Sequence, residues 1–342
     1  IQEELAQPFF IDGQEVYATA SIGIASSASG YAAAEEVLRD ADLAMYRAKS
    51  QGKARYEIFD QRMRAGAMRR LDLESNLRRA LENQEFVLFY QPIVRLETAE
   101  IKGFEALVRW RRPDGDMVYP ADFVEVAEDT GLIVPLGAWA LEEACRTMQG
   151  WRVQFPQAKA LTISVNLSAR QFGDAELAHQ VDSVLRRTGL MPQALDLEIT
   201  ESVMMGDSER SVKLLAQLKK LGLRFSIDDF GTGYSSLSYL HRFPLDTLKI
   251  DRSFVAQLGE GRDGVAIVRS ILDLARNLGM QIIAEGAETE KQVAQLRRLG
   301  CEFAQGYYFS EPLEASRATD LLRSSNTALA SRLGEAPPEF VV

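Results

Sequence analysis

Lys219-Lys-Leu-Gly-Leu-Arg-Phe-Ser-Ile-Asp-Asp229 is the stretch that decides the fold. A helix ends here in a basic turn, and Gly222 supplies the left-handed residue that closes it. A β-rich run follows at once and stops on two aspartates. The same ending recurs at Arg187-Thr-Gly189, Arg276-Asn-Leu-Gly279 and Arg298-Leu-Gly300. Outward from it, short β-rich runs fall at 86–92, 101–108, 161–167, 195–199, 223–228, 246–250, 281–285 and 302–309, with helical segments between most of them. Thr289 and Gln292 have the spacing of a capping box at the start of the last of these helices. About eight strands in a strand–helix–glycine–strand rhythm predict an α/β protein built on a (β/α)8 TIM-like barrel. A doubly wound open sheet is the competing arrangement.

The barrel is expected over 85–325, with a helical connector over 61–84 and a C-terminal tail at 326–342. Residues 1–60 read as a small α/β remnant: a hairpin pattern around Asp12-Gly13 and a helix from Ala32 to Ser50. Sixty residues bury little core by themselves, and the chain begins mid-pattern at Ile1, so it reads as a fragment.

Composition narrows the function. Of 342 residues, 46% are hydrophobic and 26% charged, the balance of a soluble globular protein. The formal charge of −10 disfavours a grip on a nucleic-acid polymer, which needs a basic face. No apolar run reaches the ~18–20 residues of a membrane span, so no membrane contact is expected in this fragment, although an upstream anchor is compatible with it. The two cysteines, Cys145 and Cys301, lack ligand spacing and suit small core residues in a reducing cytoplasm. The two histidines, His179 and His241, are expected on amphipathic helices in structural roles, which argues against zinc and against a histidine base.

In such barrels chemistry sits at the carboxyl ends of the strands. The last polar residue of successive runs is Glu105, Asn166, Glu198, Asp228 with Asp229, Lys249 and Glu285, and Gln305 follows in the final run. Crowded carboxylates repel unless cations sit among them. Oxygen ligands without histidine or cysteine favour Mg2+ or Mn2+, and adjacent Asp228 and Asp229 suit a pair of ions clamping a phosphoryl displacement. The glycine-rich Phe230–Ser236 lacks the lysine of a Walker motif and the third glycine of a dinucleotide fingerprint; Gly231 and Gly233 suit a mobile loop beside the aspartates.

Glu105-Ala-Leu-Val-Arg-Trp110, Ser164-Val-Asn-Leu-Ser168, Glu198-Ile-Thr-Glu201, Asp228–Ser236, Leu248-Lys-Ile-Asp251, Ala284-Glu-Gly286 and Gln305-Gly-Tyr-Tyr308 together resemble the EAL family of cyclic-di-GMP phosphodiesterases, over about residues 70–325. The resemblance implies hydrolysis of cyclic-di-GMP to linear pGpG by in-line attack of a metal-bound hydroxide. It places Glu105, Asn166, Glu198 and Asp228 on one metal ion, with Asp228 bridging to a second that Asp229 and Glu285 complete. Lys249 would orient the attacking water, and Glu201 would anchor the loop after Asp229. Gln91, Leu107, Arg109, Asp251, Gln305 and Pro312 would line the dinucleotide groove, where the forked donors of Arg109 suit a phosphate. Arg109 in a surface ion pair, Lys249 in a salt bridge among the acids, and Glu201 as a helix N-terminal charge are the plainer alternatives. Ala287 stands where the family often has valine, and Glu311 where a basic residue often precedes Pro312. A non-catalytic cyclic-di-GMP receptor is the alternative function. The resemblance also implies a homodimer whose formation tunes metal binding through the loop 229–236. Ala20-Ser-Ile-Gly-Ile24 and Asp40–Lys49 separately resemble the C-terminal third of a GGDEF diguanylate cyclase domain, without its signature stretch, so no cyclase activity is expected here.

Overall fold

The computed structural model describes residues 1–324 apart from Ala6, Gly13, 27–29, Asp207, 232–239 and 260–261. It divides into two compact units, Ile1–Arg79 and Ala80–Val342.

In the first unit, strands Phe9–Ile11 and Gln14–Val16 pair antiparallel. The turn expected between them includes Gly13, outside the described residues, and Asp12 there has φ 49°. The next strand, Ile22–Ile24, does not extend the hairpin but pairs parallel with Tyr56–Ile58. Helix Ala34–Ser50 lies on this strand pair at Gly23, where an added Cβ would stand 1.9 Å from the Ala41 carbonyl oxygen. The helix buries Ala44, Ala48 and Asp40. Asp40 carries no exposed side-chain surface and pairs at 2.7 Å with Arg64 of the helix Gln61–Glu82.

The second unit holds a closed barrel of eight strands: β1 (Phe86–Arg95), β2 (Ile101–Arg111), β3 (Thr162–Asn166), β4 (Leu195–Thr200), β5 (Arg224–Phe230), β6 (Thr247–Ile250), β7 (Gln281–Ala284) and β8 (Phe303–Ala304). From β2 to β8 every neighbouring pair is parallel. β1 closes the ring antiparallel to both β2 and β8. The sequence rhythm does not anticipate this reversal. Its cause is the turn at 96–100, closed by Arg95 N–H to Glu100 O at 2.8 Å, which has no room for the crossover helix that parallel strands need.

The final run is also shorter than its β-rich composition suggests. After Ala304 the chain turns, because Ala287 donates to Gln305 O and accepts from Tyr308 N, both at 3.0 Å. Gly189, Gly222, Gly279 and Gly300 all have positive φ, as the repeated helix endings require. The Thr289–Gln292 capping box forms at the helix Glu290–Arg298. His179 lies on the helix Leu177–Thr188, whereas His241 falls in a turn, not a helix.

The hydrophobic core fills the layer between sheet and helices. Phe104, alternating with Glu105 along β2, packs its ring 5.0 Å from Trp151 on the helix Ile133–Gln154. Full burial of such a side chain contributes on the order of 2 kcal/mol. Cys145 and Cys301 are free and buried, as expected of core residues. No described helix is long and apolar enough to cross a membrane.

Toward the amino ends of the strands, Asp196 on β4 is 4% exposed and accepts a 2.8 Å hydrogen bond from Ser226 on β5. Burial pushes its carboxyl from 3.8 up to about 6, against the lowering effect of Ser226 and Arg224. A group with a raised folded pKa binds its proton more tightly in the native state, so its contribution to stability is present below pH ~4 and is lost as pH rises through 6. Replacement Asp196→Asn removes this penalty. The thermal midpoint of the variant relative to wild type should therefore climb between pH 4.5 and 7, by an amount equivalent to ~2–3 kcal/mol. A difference that stays flat over that range would contradict the assignment.

Candidate active site

The parallel registers place the polar strand-end residues at one level. Gln91 lies opposite Glu105, and Asn166 opposite Glu198. Lys249 comes up in the middle of the ring from β6. Its side chain is fully buried, with Nζ 2.6 Å from both Glu198 and Glu285, 3.4 Å from Asp228 and 3.5 Å from Glu105. The alternative of a lysine salt bridge among acids is therefore realised.

Adjacent residues of a regular strand point to opposite faces, so Asp228 and Asp229 would diverge. The backbone prevents this. Asp229 has φ 54°, a conformation that aspartate tolerates better than most residues, and the pairing of β5 with β6 shifts register between Ile227 and Phe230. Carboxylate oxygens of Asp228, Asp229 and Glu285 consequently lie within 4.8 Å of one another.

Charge in the cluster is unbalanced. Burial alone would strip Lys249 of its proton, but the surrounding carboxylates hold its pKa well above the usual lysine value. Burial pushes Glu198 up, and repulsion from Glu105 adds to the effect. Burial likewise drives Glu285 to about 8, although Lys249 opposes it. Burial raises Asp229 too, with help from Asp228. Glu105 alone among the shifted acids of this cluster is lowered, because Lys249, Gln305 and Asn166 outweigh its burial. One ammonium does not neutralise five carboxylates.

Two amides connect this cluster to the C-terminal part of the barrel, a link that composition and spacing do not reveal. Gln305 Nε2 donates to Glu105 at 2.6 Å and to Gln91 at 2.8 Å, and Gln91 in turn donates to the Ser310 carbonyl at 3.0 Å. Asn166 donates its Nδ2 to Glu105 at 2.8 Å, leaving its carbonyl oxygen for another partner. Glu198 Oε1, Glu201 Oε1 and Gln305 Oε1 are buried with no hydrogen-bond partner among the described residues. Glu201 begins the helix Glu201–Gly206 and accepts from Gly231 N–H at 3.3 Å. The rest of the expected glycine-rich loop, 232–236, lies outside the described residues.

Leu107 and Asn166 line an apolar cavity of about 300 Å³ with Phe123, Leu136 and Thr200. Asp251 caps the helix Arg252–Ala256 and adds to the repulsion that raises Asp229. Pro312 precedes Leu313, which pairs with Tyr90 of β1. Arg109 is 9% exposed, and the surface ion pair considered for it does not form with any described residue.

These residues fit a divalent cation: the donors are oxygens, several carboxylates share one buried charge, and Glu198 Oε1 has no partner among the described residues. Fold and site together define a class, a TIM-like barrel with an acidic, lysine-centred mouth suited to hard cations. The chain belongs to the EAL domain family, whose profile matches residues 74–312, and residues 1–55 match the diguanylate cyclase GGDEF domain. The bifunctional diguanylate cyclase/cyclic di-GMP phosphodiesterase MucR of Pseudomonas aeruginosa is 45% identical over 315 residues, 92% of this chain and 46% of that protein. The cyclic di-GMP phosphodiesterase NbdA of the same organism is 37% identical over 338 residues, 99% of this chain and 42% of that protein. The chain thus spans less than half the length of these curated relatives. Among solved structures, the PaMucR phosphodiesterase in complex with c-di-GMP aligns with a TM-score of 0.70 at 46% identity, covering 72% of this chain and 99% of that one.

Removing the central cation should be costly. Lys249→Met leaves the buried acids without a counter-charge, a loss on the order of 3–5 kcal/mol that corresponds to a fall of roughly 6–20 °C in thermal midpoint. Calorimetry in EDTA checks this, and added Mn2+ should recover part of the loss. An unchanged midpoint would show that the acids do not depend on the lysine.

Proposed function

We propose that this chain hydrolyses cyclic-di-GMP to linear pGpG with the help of divalent cations, two per site, Mg2+ or Mn2+. The observation that carries the reading is the excess of buried carboxylate around Lys249, with Glu198 and Glu285 both 2.6 Å from its ammonium. Such a cluster favours the entry of further positive charge, as protons or as cations. Glu105, Asn166, Glu198 and Asp228 are the residues we assign to one ion, and Asp228, Asp229 and Glu285 to the other. Bound there, the cations would supply charge stabilisation at the phosphoryl group and make water more acidic.

The protein's own groups do the rest. Arg109 takes a non-bridging phosphate oxygen through its forked donors. Gln305 and Gln91 hold Glu105 in place while Leu107, Asp251 and Pro312 bound the groove. Lys249, kept protonated by its neighbours, orients the attacking water. Glu285, 2.6 Å from the Lys249 ammonium, is placed with it to assist proton movement as water adds to phosphorus and the 3′-oxygen leaves and is protonated. Glu201 steadies the segment after Asp229 through Gly231. The alternative of a non-catalytic receptor is less well supported, because every acid of the proposed set faces the cluster or its edge. We place the reaction in the cytoplasm, in keeping with two buried free thiols.

Turnover of cyclic-di-GMP by the purified chain, with Mg2+, Mn2+ or Ca2+, tests this directly. Mg2+ and Mn2+ should yield pGpG, and Ca2+, which prefers more ligands at longer distances, should support little. Glu105→Ala should lower kcat by at least about 100-fold, the scale of losing one charge-stabilising group. Binding without turnover under all three metals would instead establish a receptor. We also propose that the barrel forms a homodimer, on the strength of the family resemblance; light scattering that finds a fully active monomer at assay concentration would reject it.

A further inference from the structure

Arg109 is 9% exposed as a whole residue, yet its surroundings are not those of a paired charge. Its one side-chain hydrogen bond among the described residues goes to its neighbour's backbone, Val108 O, at 2.8 Å. Burial lowers its pKa, which shows how little nearby charge offsets the loss of water. What does surround it is aromatic. The Arg109 guanidinium carbon lies 5.2 Å from the ring centre of Tyr119 and 5.8 Å from that of Phe89.

The two rings reach it from different neighbours in the sheet. Phe89 on β1 lies opposite Leu107, one same-face step from Arg109. Tyr119 follows the short strand Met117–Val118, which pairs antiparallel with the end of β2, Trp110 facing Val118. The next position in that register sets Tyr119 against Arg109. The turn at Gly115, with φ 95° and a 2.9 Å hydrogen bond from Arg112 N–H to Asp116 O, fixes it.

We infer that Tyr119 is a positioning residue for the substrate: it holds the Arg109 guanidinium in place by ring contact and leaves its donors free for a phosphate of the dinucleotide. A carboxylate partner would hold the arginine equally well but would compete with that phosphate. A ring attracts the cation without accepting its hydrogen bonds in the plane. The inference rests on the reading of Arg109 as the phosphate-binding arginine. Tyr119 is 56% exposed and makes no side-chain cap to the helix it precedes, so its replacement does not threaten the fold.

The test is steady-state hydrolysis of cyclic-di-GMP with Mn2+ by wild type, Tyr119→Ala, Tyr119→Phe and Arg109→Ala, with thermal midpoints for all four. Tyr119→Ala should raise KM about 3- to 10-fold, the range expected for one cation–ring contact, and leave kcat within about twofold. Tyr119→Phe should restore KM, because the ring and not the hydroxyl does the holding. Arg109→Ala should raise KM further. A wild-type KM in Tyr119→Ala while Arg109→Ala is impaired would overturn the inference alone. So would a Phe variant as impaired as Ala, or a loss confined to kcat. No turnover by wild type, or an unaffected Arg109→Ala, would instead sink the underlying functional reading.

Discussion

The contact between the Lys249 ammonium and its ring of carboxylates is the constraint on which the site depends. Parallel strands deliver their end residues to one level, so acids far apart in sequence are forced together whether or not their charges agree. The fold accepts this because β6 contributes a cation at the centre and because Glu105 is held by two amides. What remains is more carboxylate than one lysine can balance; burial raises the pKa values of Glu198 and Glu285, and repulsion from neighbouring acids adds to it. A site built only for stability would carry fewer acids, since replacing buried ions with well-packed apolar groups is often neutral or favourable.

Backbone geometry refines what the topology supplies. The left-handed Asp229 lets two consecutive residues serve one place, at a cost in local strain that regular strand geometry would avoid. Closure by an antiparallel β1 has a comparable effect on the other side of the ring. It places Gln91 directly across from Glu105, so that the Gln305–Gln91 relay ties the acid cluster to Ser310. Arg109 is treated differently: it is kept by rings instead of by an acid.

Much of this was legible in the sequence, for identifiable reasons. The repeated helix endings at Gly189, Gly222, Gly279 and Gly300 mark where strands begin, and the polar residue that ends each apolar run marks the mouth. Those two signals locate Glu105, Asn166, Glu198, Asp228, Lys249 and Glu285 without any contact information. The direction of β1 was not legible in that rhythm, because it depends on a turn whose residues, Leu96–Glu100, carry no Asn-Gly or Asp-Gly signal. The end of β8 at Ala304 is set by hydrogen bonds to Ala287 rather than by its own β-rich composition. Asp196 sits mid-run among apolar neighbours and gives no local sign that Ser226 will meet it. Tyr119 could have been found: Asp114-Gly115 is a hairpin signal, and counting back from it pairs Tyr119 with Arg109.

Diffraction from crystals soaked in manganese, recorded where that ion scatters anomalously, tests the central claim most directly. Two anomalous peaks between Glu105, Asn166, Glu198, Asp228, Asp229 and Glu285, each with oxygen ligands at about 2.1–2.3 Å, is the expected result. Saturating manganese with no peak inside the ring, and the acids still gathered on Lys249 alone, would contradict the account.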